Sequence, residues 1–529
     1  MKAFSKKLYT FSCSFIQGFS LVLTALLFLG SFLITCYCVD FDSQKVLMRW
    51  DHPLFGVAGV VLFLCLAVLL IGLLSYMYSH VAKFPNPVKL LTVLVLVWSL
   101  IVGAVLIVFG KTGPTADAWS VYQAAAEFAV GNTYAIHPTD SYFSYYPHQM
   151  GLVAFFELMH RFYQLFSVHF PAYHFFKCFY VVLACAIILF QREIVRLLWA
   201  DDRAECIYLL LAGANLPFLM YTSFVYGEIP SFAAFSGGLY FLLKLLSTET
   251  DVRRPQVLSG IAALILLTLC VMLRKNNLIL IIAVLIVVLL QWLRDRKVLL
   301  LIFALCCALC CFSILPLVQK SYELRAGNRL SSGVPAISYL AMGMQESSVG
   351  NGWYNGFNFY TYRDTGLDTE ATTQLSKKII RERLNDFKEN PGHAVNFYLL
   401  KHLSQWADGT YASRQSTAVT FGGRSGFFNS LYKGEYSVFF INYSNIYQNV
   451  LYLGALLFCA FHLLRPRKHD LPEYLGMIGV TGGFLFHIIW EANSRYIFPY
   501  SLLLMPYCAR GLSLLFERLN NKFHRPEVS

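Results

Sequence analysis

Charged residues are scarce in this chain of 529 residues: Asp, Glu, Lys and Arg make up 14%, whereas hydrophobic residues make up 57%. A soluble domain usually carries about 25% charged residues, so the composition excludes an ordinary soluble enzyme. Acidic residues are the scarcer sign, with 30 Asp and Glu against 42 Lys and Arg and a formal net charge of +12. A basic balance of this size raises the question of nucleic acid, which the positions of the charges answer below.

Cysteine is absent from the longest polar segment, residues 319–448, and this excludes a disulfide-stapled module there. A CCxxCC cluster begins at Cys306. It lies in an apolar run without a neighbouring His or acid, which favours small buried hydrophobic residues over a zinc site. Internal repeats are also absent. The first apolar run lacks a small-residue cleavage site, which predicts a retained membrane span.

Long apolar runs almost free of charge recur along the chain, and each has the roughly 15 to 25 residues that a helix needs to cross a bilayer. A further run, residues 151–166, is interrupted by Glu157, His160 and Arg161. We interpret it as a re-entrant or interfacial helix, with a full crossing as the alternative. The chain is therefore predicted to be an all-α polytopic membrane protein with about 12 to 13 transmembrane helices. The 12 runs are residues 15–37, 54–78, 90–110, 175–190, 207–224, 232–246, 257–273, 278–293, 298–318, 450–464, 475–490 and 496–516.

Lys and Arg collect in alternate connections, which predicts that both termini are cytoplasmic. The protein is expected to be a multi-pass protein of a bacterial plasma membrane. Most of the net charge then orients the chain in the bilayer and implies no nucleic acid. Helices fill residues 1–110, 175–318 and 449–529. Two long polar segments, 111–174 and 319–448, face outward, and the second is predicted to be a small, mainly helical unit with helices at 369–390 and 393–406.

Polar residues gather at the outer ends of the spans, where ionisable groups are functional candidates. Basic groups on this face have no topological role. Arg274, Lys275 and Arg495 are therefore predicted to bind a phosphate at headgroup level, the alternative being cations that reach lipid headgroups. The five places are Asp117, residues 145–149 (YYPHQ), Glu228, Arg274 with Lys275, and residues 491–496 (EANSRY).

Asp117 lies just outside a span, next to Trp119 and Tyr122. A partly desolvated carboxylate at this place can act as a general base. If the substrates are a hydroxyl acceptor and a lipid-linked sugar phosphate, Asp117 would remove the hydroxyl proton while the basic groups stabilise the leaving phosphate. The alternative is a helix N-cap for residues 118–130, and spacing alone leaves this choice even.

At these residues the sequence resembles the GT-C superfamily of integral-membrane glycosyltransferases, near the bacterial protein O-mannosyltransferase and aminoarabinose-transferase group (glycosyltransferase family 39-like). The likeness includes Asp117 after an early span, the Tyr146-Pro147 element that closes the first loop, the acid-Pro turn at Glu228, the basic Arg274-Lys275 turn and a final Arg-Tyr-x-x-Pro at Arg495. It implies an inverting transferase with a polyprenyl-phosphate-linked sugar as donor and Asp117 as catalytic base.

Other residues are expected to contact the donor or the acceptor. Tyr146, His148 and Glu228 belong to the places above, although His148 is equally well explained as a polar loop residue. Glu346 precedes a Gly-, Asn- and aromatic-rich stretch with Trp353, a composition suited to sugar stacking, while a structural Gly-rich turn explains it as well. An obligatory metal is not favoured, although Asp117 and Glu228 leave weak divalent-metal binding open.

Two alternatives share the phosphate chemistry: a flippase or transporter of lipid-linked envelope saccharides, and a polymerase or ligase of such saccharides. Transporters usually place polar groups near the middle of the spans, which are almost uncharged here. The hydroxyl acceptor is open, because a cell-envelope polymer, a lipid and a protein would all be served by the same base.

Overall fold

The structure is a computed structural model that describes residues 2–33, 36–37, 46–48, 57–137, 141–166, 170–247, 253–464 and 470–523. Residues 34–35 and 54–56 of the first two predicted spans, and the last six residues of the C-terminal tail, lie outside the described residues. Within them the repetitive secondary structure is helical apart from one pair of antiparallel two-residue strands, β1 (Cys36–Tyr37) and β2 (Leu47–Met48).

The described residues up to Asp295 form twelve α-helices. They are α1 (Lys2–Leu33), α2 (Val57–Val81), α3 (Pro87–Val108), α4 (Ala116–Ala129), α5 (Tyr142–Tyr145), α6 (Met150–Gln164), α7 (Ala172–Trp199), α8 (Asp202–Ala214), α9 (Leu216–Tyr221), α10 (Glu228–Ser247), α11 (Arg253–Leu273) and α12 (Leu278–Asp295). Short 3₁₀ turns at Pro147–Gln149 and Lys275–Asn277 precede α6 and α12.

The second half continues with helices of very different length. They are α13 (Val298–Ala326), α14 (Ala336–Met342), α15 (Phe357–Asp364), α16 (Thr369–Glu389), α17 (Pro391–Trp406), α18 (Ser413–Ser416), α19 (Gly426–Lys433), α20 (Glu435–Leu463), α21 (Leu475–Ile489) and α22 (Phe498–Phe523). Two 3₁₀ turns, Leu471–Tyr474 and Ser494–Ile497, precede α21 and α22.

Nine helices in the described part of the chain are long and apolar enough to cross a membrane: α1, α2, α3, α7, α10, α11, α12, α13 and α20. This confirms an all-α polytopic membrane protein. The predicted number of about 12 is not reached by this measure. At 15 residues α21 is short, and α22 is long enough but too polar, with Arg510 and two prolines inside it. The run 151–166, interpreted as a re-entrant or interfacial helix, corresponds to α6, which is not among the nine candidate spans.

The predicted span 207–224 is broken into α8 and α9. Pro217 lacks an N–H and its ring obstructs the preceding turn, which kinks or breaks a helix, and here the helix is interrupted at Asn215. Asn215 accepts a hydrogen bond from Phe218 N at 3.0 Å and caps the second piece. Neither piece, of 13 and 6 residues, has the length of a span.

The core is formed where helices approach closely. Helix α10 packs against α7 and α11, and α20 packs against α1 and α22. At the crossing of α20 with α22, a Cβ on Gly511 would lie 1.9 Å from Gly454 O, so only glycine permits this approach. Small residues that let helix backbones meet are typical of membrane helix packing.

The polar segment between α13 and α20 contains α14 to α19. The predicted helices 369–390 and 393–406 correspond closely to α16 and α17. The first begins where expected because Asp368 accepts hydrogen bonds from Glu370 N and Ala371 N. Since α13 continues to Ala326 and α20 begins at Glu435, the stretch between these two spans is shorter than the predicted 319–448.

Candidate functional site

A cavity of about 650 Å³ lies where five separate parts of the chain meet. These parts are the start of α4, the residues from Tyr142 to Leu152, the turn before α10, the turn between α11 and α12, and the turn between α21 and α22. Residues of the polar segment, including Tyr339 and Tyr354, complete the wall. Four of the five polar places recognised in the sequence thus contribute lining residues to one cavity, and the fifth, Glu228, lies directly behind it.

Asp117 lines this cavity from the first turn of α4. Thr115, in extended conformation, is the N-cap residue of the helix, so the alternative assignment of Asp117 as N-cap is wrong. Ala116 has a φ of +31°, a strained value for a non-glycine residue of the kind that clusters at functional sites. Burial raises the pKa of Asp117, against the opposing effects of the Arg495 charge and the Tyr142 hydroxyl.

Arg274, Lys275 and Arg495 line the same cavity. They come from two turns that are separated by more than 200 residues in sequence, and both turns include a short 3₁₀ helix. Asn493 helps to form the second turn by accepting a hydrogen bond from Arg495 N at 2.9 Å. The three predicted phosphate-binding residues are therefore brought together opposite the carboxylate of Asp117.

Glu228 does not line the cavity; its side chain is completely buried behind the arginines. Its Oε1 lies 2.5 Å from Arg274 Nη1 and 3.6 Å from Arg495 Nε. A buried carboxylate in this position fixes the two guanidinium groups and offsets one of their charges. Glu228 is therefore placed to hold the two arginines, and its direct contact with a ligand stays a prediction.

Tyrosine is the main aromatic residue of the wall. The predicted Tyr146 is one of six; the others are Tyr142, Tyr226, Tyr339, Tyr354 and Tyr496. Gln149 Nε2 donates a hydrogen bond to the Tyr226 hydroxyl at 2.6 Å. Tyrosine combines a flat apolar ring with a hydroxyl, so this wall can both stack on a ring and form hydrogen bonds to it.

His148 also lines the cavity, as expected from the YYPHQ element. Burial, together with the charge of Lys275, lowers its pKa to about 4. The imidazole is therefore neutral near pH 7, when one ring nitrogen donates a hydrogen bond and the other accepts. It adds a neutral polar group to the basic side of the cavity.

Glu491 is the first residue of the EANSRY place recognised in the sequence, where it was given no role of its own. It follows α21, lines the cavity and is only 5% exposed. Burial raises its pKa to about 7, in spite of Arg495 and a hydrogen bond from Tyr496; the charge of Asp117 raises it further. The only sequence signal was its place four residues before Arg495.

The chain matches the model of a protein family over residues 16–510, and that family is described as "Conserved hypothetical integral membrane protein". The chain belongs to this family. None of the curated proteins compared with it matches. Membership establishes an integral membrane protein in contact with the lipid bilayer, and the chemistry is argued below from the cavity.

Glu346 and Trp353 of the polar segment were expected to contact the donor or the acceptor. Neither residue lines the cavity. Glu346 Oε1 accepts hydrogen bonds from Arg383 Nη2 at 2.7 Å and His393 Nε2 at 3.2 Å. Trp353 is buried, and its Nε1 donates to Ser404 Oγ at 2.8 Å. The expectation of a structural Gly-rich turn describes Trp353 better, and the neighbouring Tyr354 reaches the cavity instead.

The Gly-rich turn at Gly352 and helix α17 contact the turn between α21 and α22 on the side away from the cavity. Ala492 N donates to Gly352 O at 2.7 Å, and Asn493 N donates to Gln405 Oε1 at 3.3 Å. Lys401 Nζ donates to Gly343 O at 2.6 Å and to Ile488 O at the end of α21 at 3.0 Å. The polar segment therefore holds the turn that carries Glu491 and Arg495.

Among the described residues, no group of three or more His, Cys, Asp or Glu side chains is arranged to hold a metal ion. Asp117 and Glu228, the two acids that could bind a divalent metal weakly, have different surroundings: Asp117 lines the cavity and Glu228 pairs with Arg274.

Proposed function

We propose that the protein is a membrane glycosyltransferase that moves a sugar from a polyprenyl-phosphate-linked donor to a hydroxyl acceptor on the extracytoplasmic face, with inversion at the anomeric carbon. One observation carries this proposal: the carboxylate of Asp117 shares a cavity with Arg274, Lys275 and Arg495. A base and a phosphate site within one cavity are the two elements that such a transfer needs.

Asp117 is proposed to be the catalytic base. A carboxylate with a raised pKa accepts a proton more readily than an ordinary aspartate. It would take the proton of the acceptor hydroxyl as that oxygen attacks the anomeric carbon from the face opposite the phosphate. The bond from carbon to phosphate oxygen breaks, and its electron pair leaves with the polyprenyl phosphate.

The three cations are proposed to bind the donor phosphate and to stabilise the charge that develops on it. Arginine can form paired hydrogen bonds with phosphate oxygens, and lysine adds a compact positive charge. Because Glu228 offsets one positive charge, two remain to face the donor and Asp117. The tyrosines, with neutral His148, would contact the sugar.

The polyprenyl chain is proposed to leave along the apolar part of the wall. Leu278 and Ile279 begin α12 immediately after the basic turn, and Phe486 of α21 lies on the same cavity. Helix α12 is one of the nine spans, so a lipid phosphate held by Lys275 would place its chain beside a membrane helix. A water-soluble sugar phosphate would not use this apolar wall.

The distribution of Lys and Arg supports cytoplasmic termini, with the cavity on the outer face of a bacterial plasma membrane. An acceptor in the cell envelope, whether a polymer, a lipid or a protein, would then reach the site from outside.

The test uses purified protein in nanodiscs with a panel of radiolabelled polyprenyl-phosphate hexoses and a cell-envelope fraction as acceptor. Release of polyprenyl phosphate reports transfer whichever acceptor is used. We expect Asp117→Asn to slow this release about 10²- to 10⁴-fold, which is the usual contribution of a general base. The matched control is Asp364→Asn, which changes an exposed acid of the polar segment.

Full activity of Asp117→Asn would overturn its assignment as base. A wild-type protein that releases no polyprenyl phosphate from any donor, but moves the lipid-linked sugar between the leaflets of liposomes, would favour the transport alternative. Release coupled to growth of a saccharide chain would favour the polymerase or ligase.

A further inference from the structure

Glu491 is a second acid in a cavity whose proposed reaction needs only one base. Its side chain lies on the cavity wall beside Arg495 and is 5% exposed. Its side-chain hydrogen bond is long, with the Tyr496 hydroxyl 3.4 Å from Oε2. The protein therefore buries this carboxyl group on the surface that would receive the phosphate without a close hydrogen bond to hold it as an anion.

The charges around the cavity show what a second anion would do. Three cations face one buried acid, Glu228, and one general base, Asp117. With Glu491 ionised the site would be neutral, and with Glu491 protonated it would keep one net positive charge. A phosphodiester donor carries one negative charge, so the protonated state of Glu491 complements it, whereas the ionised state leaves the site without a net positive charge to attract it.

Charged and titratable groups surround Glu491 from each neighbouring element. The ammonium group of Lys401 in α17 donates hydrogen bonds to the carbonyl oxygens of Gly343 and Ile488. These two hydrogen bonds do not involve the carboxylate of Glu491. The groups that face Glu491 are Arg495 and Tyr496 from its own turn, His487 from α21, Asp117 from α4, Lys401 from α17, and Tyr146, Tyr339 and Tyr354 from the opposite wall.

We propose that Glu491 acts as a neutral carboxylic acid whose O–H donates a hydrogen bond to the donor phosphate. This inference rests on the proposed function, because it uses the same phosphate site. A carboxylic acid in this position adds a hydrogen-bond donor without adding charge. Its ionisation removes the donor and places an anion beside the phosphate, so the site weakens as pH rises through the titration of Glu491, near pH 7.

The experiment measures binding, so that it does not depend on catalysis. The probe is decaprenyl methyl phosphate, a phosphodiester whose charge does not change from pH 5 to 9, unlike that of a monoester, which titrates near pH 6. Its affinity for the protein in nanodiscs is measured at pH 6 and pH 8.5. We expect wild-type affinity to fall about tenfold or more, because one like charge is added beside the phosphate.

The isosteric variant Glu491→Gln keeps a donor and cannot ionise. We expect it to bind the probe at pH 8.5 about tenfold more tightly than the wild type. Any pH dependence that remains in this variant belongs to other groups such as Lys401, and only the difference from the wild type is assigned to Glu491. The matched control is Glu389→Gln, which changes an exposed acid at the end of α16.

Wild-type affinity that does not fall with pH would overturn the proposal, and so would Glu491→Gln that binds more weakly than the wild type at pH 8.5. The first measurement needs no variant, so it holds even if Glu491→Gln fails to fold. Displacement of the probe by an equal concentration of phosphatidylglycerol would overturn the assignment of a polyprenyl-linked phosphate as the ligand of this cavity. Full activity of Asp117→Asn would contradict the proposed base alone and leave these binding results unchanged.

Discussion

Arg274 Nη1 lies 2.5 Å from Oε1 of Glu228, whose side chain is completely buried. The same oxygen lies 3.6 Å from Arg495 Nε. One carboxylate thus connects the turn between α11 and α12 with the turn between α21 and α22. The two arginines on the cavity wall are held in a fixed relation to each other by a residue that does not line the cavity.

Glu228→Gln tests this relation. Removing one partner of a buried ion pair typically costs about 3–5 kcal/mol, because the remaining charge is buried without compensation. We expect a loss of this size in the free energy of unfolding, measured by denaturant titration in detergent. In the double variant Glu228→Gln with Arg274→Gln, the loss should be smaller than the sum of the single losses. A loss below about 1 kcal/mol for the single variant would show that the pair is not buried.

Arg495→Lys tests the geometry of the phosphate site while retaining its charge. Lysine lacks the planar fork that forms paired hydrogen bonds, and a hydrogen bond with a charged group contributes about 1.5–3 kcal/mol. We expect affinity for decaprenyl methyl phosphate to fall about tenfold to a hundredfold. Arg363→Lys, at an exposed arginine, is the control; equal effects of both variants would exclude a specific role for Arg495.

Gly352→Ala tests the turn that supports Glu491 and Arg495. Gly352 has a φ of +71°, and an added Cβ would lie 2.7 Å from Lys401 Cε and 2.8 Å from Gly343 O. Gly366 has nearly the same φ, +70°, with no atom within 4 Å of the added Cβ. Gly366→Ala therefore measures backbone strain alone. We expect Gly352→Ala to lose about 1–3 kcal/mol more in unfolding free energy, together with affinity for the phosphodiester; identical losses would contradict the close packing.

Lys401→Met tests the buried ammonium group behind the turn. Burial lowers the pKa of Lys401 to about 7 from 10.5. The unfolded chain therefore binds more protons than the folded protein between pH 7 and 10.5, and this group makes stability rise with pH in that window, by at most about 1.4 kcal/mol per unit. We expect Lys401→Met to remove this rise in thermal unfolding measured from pH 7 to 9.

The control for this measurement is Lys388→Met, which changes an exposed lysine near the end of α16. It should keep the wild-type rise. A rise that is the same in Lys401→Met and in the wild type would mean that Lys401 stays protonated throughout the window.

The sequence predicted the membrane fold and the helices α16 and α17 well, because apolar runs and helical periodicity are local signals. It predicted the span at 207–224 wrongly, since the mean composition of that run conceals the effect of a single proline, Pro217. The predicted run 496–516 is helical and corresponds to α22, but polar residues buried among other helices, such as Ser501 and Ser513, keep this helix out of the nine candidate spans.

The candidate site was predicted in part. Asp117, Tyr146, His148, Arg274, Lys275 and Arg495 line one cavity because all lie at span ends on one predicted face, and such ends converge in a helix bundle. Whether each of the other residues reaches the cavity depends on its burial in the folded chain, which the neighbouring sequence does not reveal. Glu228 and Glu491 are both acids beside a turn, yet one lies behind the arginines and the other on the wall. Glu346 and Trp353 have the composition of a sugar-binding loop, but Arg383 and Ser404 bind them elsewhere.

The meeting of α4 with the turn between α21 and α22 joins the early and the late parts of the chain. Asp117 is synthesised within the first quarter of the chain, whereas Glu491 and Arg495 are synthesised only near its end. Until the last helices are inserted and Ala492 has bonded to Gly352, the cavity that Asp117 lines lacks the wall formed by Glu491 and Arg495. An incompletely synthesised chain would therefore lack the proposed phosphate site, and we expect it to be unable to use the proposed lipid-linked donor.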